Sequence, residues 1–249
     1  MKNTIIADES SSSLIEEKED GVVKIIVKLA GIIFLPTIAI MVLSHVVYGL
    51  IFYPDTLGDY FSSIQGQLFV SYLSPLLTIA LLITITKKPD WQSRFHFWAI
   101  KQINRKIFIK WLLFSCIFIV LLEMPKFLLD MPNELFMLEL QASANTLTMQ
   151  MLILIAFSLI APIMEELIFR GWLYSTLANT KLNKISVILL SAIIFSSIHL
   201  QYENLITFIN IFFIGLFFAV MRYKTENIAY SMIFHFLFNF TVIINLFYF

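Results

Sequence analysis

The sequence predicts an all-α protein, a polytopic bundle of membrane helices. Hydrophobic residues make up 59% of the chain and charged residues 14%, where a soluble domain is about half apolar and about a quarter charged. The mean hydropathy is +0.85. The apolar residues fall in continuous runs without the period-two alternation of barrel strands. In lipid only helices or closed barrels satisfy the backbone, so these runs are helices.

Residues 1–21 are polar and acidic, with four serines at 10–13 and the run Glu16-Glu17-Lys18-Glu19-Asp20. This reads as a short disordered tail. It lacks the basic start leading straight into an apolar core that marks a signal peptide. Residues 22–249 read as a single transmembrane helical domain. Its first apolar run covers 22–52, the second 68–86 and the third 107–122. The fourth runs from 146 through Pro162 to 177, and three more follow at 185–200, 205–221 and 228–247. A span needs about 20 residues, which gives seven spans here, in a range of six to eight. Pro36, Pro75 and Pro162 fall inside spans and are read as kinks, with Pro162 breaking the backbone just before two acids.

Lys and Arg set the expected orientation. The loop after the second run holds Lys87, Lys88, Arg94, Lys101, Arg105 and Lys106, against one acid, Asp90. The loop after the first run has Asp55 and Asp59 and no basic residue. The positive-inside rule places the basic loop and the N-terminus in the cytoplasm of a multi-pass protein of the cell membrane. Trp91, Phe95, Phe97 and Trp98, interleaved with Arg94 and His96, read as an anchor in the headgroup layer. With a formal net charge of zero and no sustained basic surface, nucleic acid is not an expected partner. Cys116 is the one cysteine, which excludes an intrachain disulfide and a cysteine-based structural zinc site.

Against this background two adjacent carboxylates stand out, Glu165 and Glu166, followed by Arg170. Ionisable groups in a bilayer are costly and usually mark function. Glu166 and Arg170 are four apart, the spacing of an ion pair on one helical face. Glu165 is rotated by about 100° from Glu166 and faces elsewhere. His199 ends the fifth run, and His235 and Asn239 share a face of the last. A buried glutamate can take a proton from water, and a histidine can share that water. A second histidine and an asparagine amide can donate to a developing oxyanion. These are the parts for hydrolysing an amide by direct attack of water. A water-filled cavity opening toward the cytoplasm is the expected setting.

Glu-Glu-x-x-Phe-Arg on one membrane helix, Phe-x-x-x-His on the next and His-x-x-x-Asn on a later one resemble the CAAX prenyl protease and bacteriocin-processing family, also called Abi or CPBP proteases. The resemblance covers about residues 145–249, which would hold the catalytic core. It implies an intramembrane endopeptidase in which Glu165 activates water with His199. Glu166 pairs with Arg170, His235 and Asn239 stabilise the oxyanion, and Phe169 and Phe195 pack in support. No required cofactor is the preferred expectation. Zinc is the alternative, held by Glu165, His199 and His235. The Lys-, Ile- and Phe-rich composition resembles that of low-GC Gram-positive bacteria, which lack prenylated proteins. The implied substrate is therefore a membrane-associated peptide or prepeptide, in bacteriocin processing, self-immunity or signalling-peptide maturation. Partner membrane proteins are a further expectation. Two other classes stay open: a non-catalytic immunity or scaffold protein, and a proton-coupled transporter.

Overall fold

A computed structural model describes residues 21–51, 64–128 and 132–248 of the chain. The tail at 1–20 and the acids Asp55, Asp59 and Asp130 lie outside the described residues. Nine helices follow one another and no strand occurs among the described residues. They are α1 (Val22–Ile51), α2 (Ile64–Thr86), α3 (Trp91–Phe97), α4 (Arg105–Leu128) and α5 (Leu135–Ser143). Then come α6 (Leu147–Ala178), α7 (Lys184–Ser197), α8 (Leu205–Thr225) and α9 (Ile228–Tyr248). Six of these, α1, α2, α4, α6, α8 and α9, are long and apolar enough to cross a membrane. The protein is a multi-pass membrane helix bundle.

The run at 185–200 departs from the rest. It forms α7, only 14 residues long, or about 21 Å against a hydrocarbon core of about 30 Å. Asn183 starts it by accepting from the N–H groups of Ile185 and Ser186, each at 3.0 Å. That caps two of the orphan donors at its start. Its other end stops at Ser197, just before His199.

Two ends can be told apart. At one, Asn227 ties the α8–α9 turn to the basic loop, accepting from Lys101 N–H at 3.1 Å and donating to the carbonyls of Lys101 and Gln102. The N-terminal part of α1 packs here too, with Ile25 and Leu29 in one apolar cluster with Leu173 and Leu177 of α6. Trp98 turns inward at this end: it is 4% exposed and donates to Thr86 Oγ1 at 3.1 Å. Trp91 and Phe95 remain exposed, so only part of the aromatic set can serve as an interfacial anchor. At the opposite end, Gln141 of α5 donates to the carbonyl of Leu246 at 2.8 Å. Glu134, just before α5, accepts from Glu203 N–H at 3.1 Å and from the Thr207 hydroxyl.

The outer faces carry large apolar side chains in the open, for example Leu113, Ile117 and Val120 on α4. Cys116 is exposed on the same helix. In lipid such exposure costs nothing, and association rests on packing and interhelical hydrogen bonds. The tightest packing joins α7 to α8 at Gly215. A Cβ added there would lie 2.9 Å from Phe195 Cδ1 and 3.4 Å from the Ala192 backbone.

Candidate active site

Helix α6 is irregular where the acids sit. Residues Ile155–Ile160 and Leu167–Leu173 wind as π-helix, and one α-helical stretch, Ala161–Glu166, lies between them. Pro162 is the local cause on the N-terminal side. In the π register the Ala161 N–H bonds to the carbonyl of Ala156. The next carbonyl, Phe157, would then look to residue 162, a proline with no N–H to give. Asn239 of α9 fills the gap, its Nδ2 donating to the Phe157 carbonyl at 2.9 Å. Pro162 thus shifts the register without breaking the helix. π-bulges of this kind recur at functional sites.

The two glutamates diverge. Glu166 is fully buried and sits 3.0 Å from Arg170 Nη1, itself fully buried. Arg170 Nη2 donates to the Gly215 carbonyl at 2.9 Å. Its guanidinium lies over the Phe195 ring, 4.3 Å from the centroid, and 5.6 Å from that of Phe218. His235 closes the other side of Glu166, with Nδ1 3.1 Å from Oε1. The ion-paired carboxylate can only accept, so the proton on that bond belongs to His235. Glu165 takes a separate direction: its side chain is 24% exposed. Its Oε2 has no hydrogen-bond partner in the protein, and His235 Nε2 stands 3.7 Å away.

Glu165, His199, His235 and Asn239 line one cavity of about 150 Å³. Apolar side chains such as Phe157, Phe238 and Val242 complete its wall. His199 is held by its Nδ1, 2.8 Å from the Phe195 carbonyl, which leaves Nε2 for the cavity. Phe195 is the common wedge. Its ring meets Phe169 edge-on at 5.2 Å, His199 at 4.7 Å and His235 at 6.1 Å. Glu166 and Arg170 lie behind this cavity rather than on it.

The cavity also differs from expectation in direction. Its lining includes Phe136 and Met137 of α5 together with Gln201 and Tyr202 after α7. Those segments form the end of the bundle away from the basic loop. The lining thus reaches the end of the bundle away from the basic loop, whereas the expected opening was on the basic side.

Several contributors carry no sequence signal of their own. Gly215 is one glycine in an apolar run, yet its missing side chain admits Phe195 and its carbonyl holds Arg170. Phe218 packs against His235 with ring centroids 5.0 Å apart. Tyr202 stacks near His199, 6.4 Å between centroids, and burial pushes its phenol up to about 12. Among the described residues, no three His, Cys, Asp or Glu side chains come together as a metal-holding set. Glu165, His199 and His235 do not fit a zinc ion as placed.

Fold and site define a class: a membrane-embedded helical bundle with a carboxylate–histidine centre in its interior. The family model described as Type II CAAX prenyl endopeptidase Rce1-like matches residues 147–241, so the resemblance to the CAAX prenyl protease and bacteriocin-processing family is shown over that stretch. A relative in Escherichia coli, described as an uncharacterized 24.3 kDa protein, is 28% identical over 108 residues, or 43% of this chain and 49% of the relative. The chain thus spans about half the length of the curated relative it matches. No solved structure matches it.

Proposed function

We propose that this chain is an intramembrane endopeptidase that hydrolyses a peptide bond of a membrane-associated peptide or prepeptide. The observation that carries the reading is the meeting of Glu165, His199, His235 and Asn239 on one cavity within a helix bundle. In the proposed reaction the Glu165 carboxylate takes a proton from a water that His199 Nε2 orients. The resulting hydroxide forms a bond to the carbonyl carbon, and the carbonyl π electrons move to oxygen. The second N–H of the Asn239 amide donates to that oxyanion. His235 donates from Nε2 in its doubly protonated form, while its Nδ1 stays on Glu166. When the C–N bond breaks, the proton held by Glu165 passes to the leaving amine. Every step uses the chain's own residues. The biological task proposed is bacteriocin processing or self-immunity, or maturation of a signalling peptide.

A second reading has its own observation. One Asn239 N–H is committed to Phe157, and Nδ1 of His235 to Glu166. Both side chains could serve only as ties between α6 and α9, in a non-catalytic immunity or scaffold protein. Mass spectrometry of small secreted peptides separates the two. Cells with wild-type protein should release a processed peptide that cells carrying Glu165→Ala do not. Identical peptide profiles would remove the peptidase reading.

A further inference from the structure

We infer that the candidate site is reached from the outer face of the membrane, and that its substrate is an exported or externally presented peptide. The substrate half rests on the peptidase reading; the sidedness does not. Charge is divided sharply between the two ends of the bundle. Lys101 and Glu226, 3.4 Å apart, mark the end where the 87–106 loop meets the α8–α9 turn. Lys184, at the start of α7, lies over the Tyr223 ring there, 5.7 Å from its centroid. Arg222 donates to Ser175 Oγ at 3.4 Å near the end of α6. The start of α1, with Lys24 and Lys28, packs against that same part of α6. The basic residues of four separate chain segments thus converge on one end.

The opposite end carries Glu134, Glu139 and Glu203 on the segments around α5 and after α7. Cytoplasmic ends of membrane proteins hold the excess of Lys and Arg. The basic end is therefore cytoplasmic and the acidic end is outside. The cavity belongs to the acidic end, since Phe136, Gln201 and Tyr202 line it. The short α7 explains the access. Starting on the basic side, its 14 residues climb about 21 Å of a core about 30 Å thick. The chain turns there at His199 and Gln201, leaving a recess below the outer surface.

The test combines labelling with reporters, in intact bacterial cells. Gln201 and Gln102 are exposed at opposite ends, so each is replaced by cysteine, as Gln201→Cys or Gln102→Cys, on a Cys116→Ser background. A membrane-impermeant maleimide should label the Gln201→Cys protein in intact cells as fully as in lysed ones. It should label the Gln102→Cys protein only after lysis. In parallel, cells with unaltered protein express a reporter with an apolar segment, either exported or retained in the cytoplasm. The exported reporter alone should be cleaved. Reversed labelling, or cleavage of the cytoplasmic reporter alone, overturns the inference. Outside labelling with neither reporter cleaved keeps the sidedness and overturns the substrate half, and with it the peptidase reading.

Discussion

At the scale of single residues the two adjacent acids should separate cleanly. Glu166, sealed between Arg170 and His235, holds a buried ion pair. Removing one partner of such a pair leaves an uncompensated charge and costs about 3–5 kcal/mol. Glu166→Gln should lower the melting temperature in detergent, while Glu165→Gln should leave it near the wild-type value. A Glu165→Gln protein that unfolds as readily as Glu166→Gln would mean that both acids are structural. Asn239 carries two candidate duties, to the Phe157 carbonyl and to the oxyanion. Loss of the first is worth about 1 kcal/mol of stability, and loss of an oxyanion donor about 10²–10³ in rate. Asn239→Ala should therefore bind peptide near wild-type affinity yet cleave it far more slowly, with only a small drop in melting temperature. Asn239→Asp should fare no better, since a carboxylate donates to neither oxygen. Wild-type turnover by Asn239→Ala would leave only the tie to Phe157. The motif residues themselves were legible in the sequence, because ionisable groups are scarce in apolar runs. The partner of Asn239 was not: it depends on a carbonyl freed by the π register around Pro162.

At the scale of elements, the long runs were readable because lipid demands uninterrupted apolar helices. The π stretches of α6 leave no compositional trace. The run at 185–200 reads as a span because apolar content alone does not show where a helix stops, and α7 ends after 14 residues. The α6–α9 link gives a specific test. Pro162→Ala supplies the N–H that the Phe157 carbonyl lacks, so Asn239→Ala should cost less stability on that background than on the wild type. A double-mutant cycle with melting temperatures in detergent measures this, and strict additivity would contradict the explanation. The α7–α8 contact gives another. In Gly215→Ala the new Cβ would stand 2.9 Å from Phe195, and overpacking of this kind costs about 1–3 kcal/mol. Phe195 touches His199 and lies under Arg170, so turnover should fall together with stability. Unchanged activity would show that the ring shifts without disturbing the site.

At the scale of the whole molecule, the acidic end is pinned by Glu134, where α5 meets the start of α8. Burial alone would raise this carboxyl. Hydrogen bonds from Thr207, the Glu203 N–H and Asn204 outweigh burial and hold it below its ordinary value of 4.5. A carboxylate depressed in the folded state contributes stability that is fully present above that ordinary value and lost as pH falls through the folded one. Thermal stability of the wild type should thus drop below about pH 4.5, and Glu134→Gln should blunt that drop. An equal drop in the variant would place the acid sensitivity elsewhere. A metal-free reaction makes a separate claim, that purified protein keeps its activity after dialysis against a strong chelator. Loss that stoichiometric zinc restores would require a rearranged donor set. The sequence marked one end of the bundle through its lysines and arginines. It did not show which end the cavity serves, because that follows from how α5 and the short α7 fold over α9.

The most direct measurement is turnover of a quenched fluorescent peptide, with an apolar segment, by purified protein in lipid. General acid–base catalysis contributes about 10²–10⁴ in rate. Glu165→Gln, which keeps the size of the side chain and removes its basicity, should bind the peptide like the wild type and lose at least about 10² of its turnover. A Glu165→Gln protein that cleaves at the wild-type rate would contradict hydrolysis by water activated at Glu165.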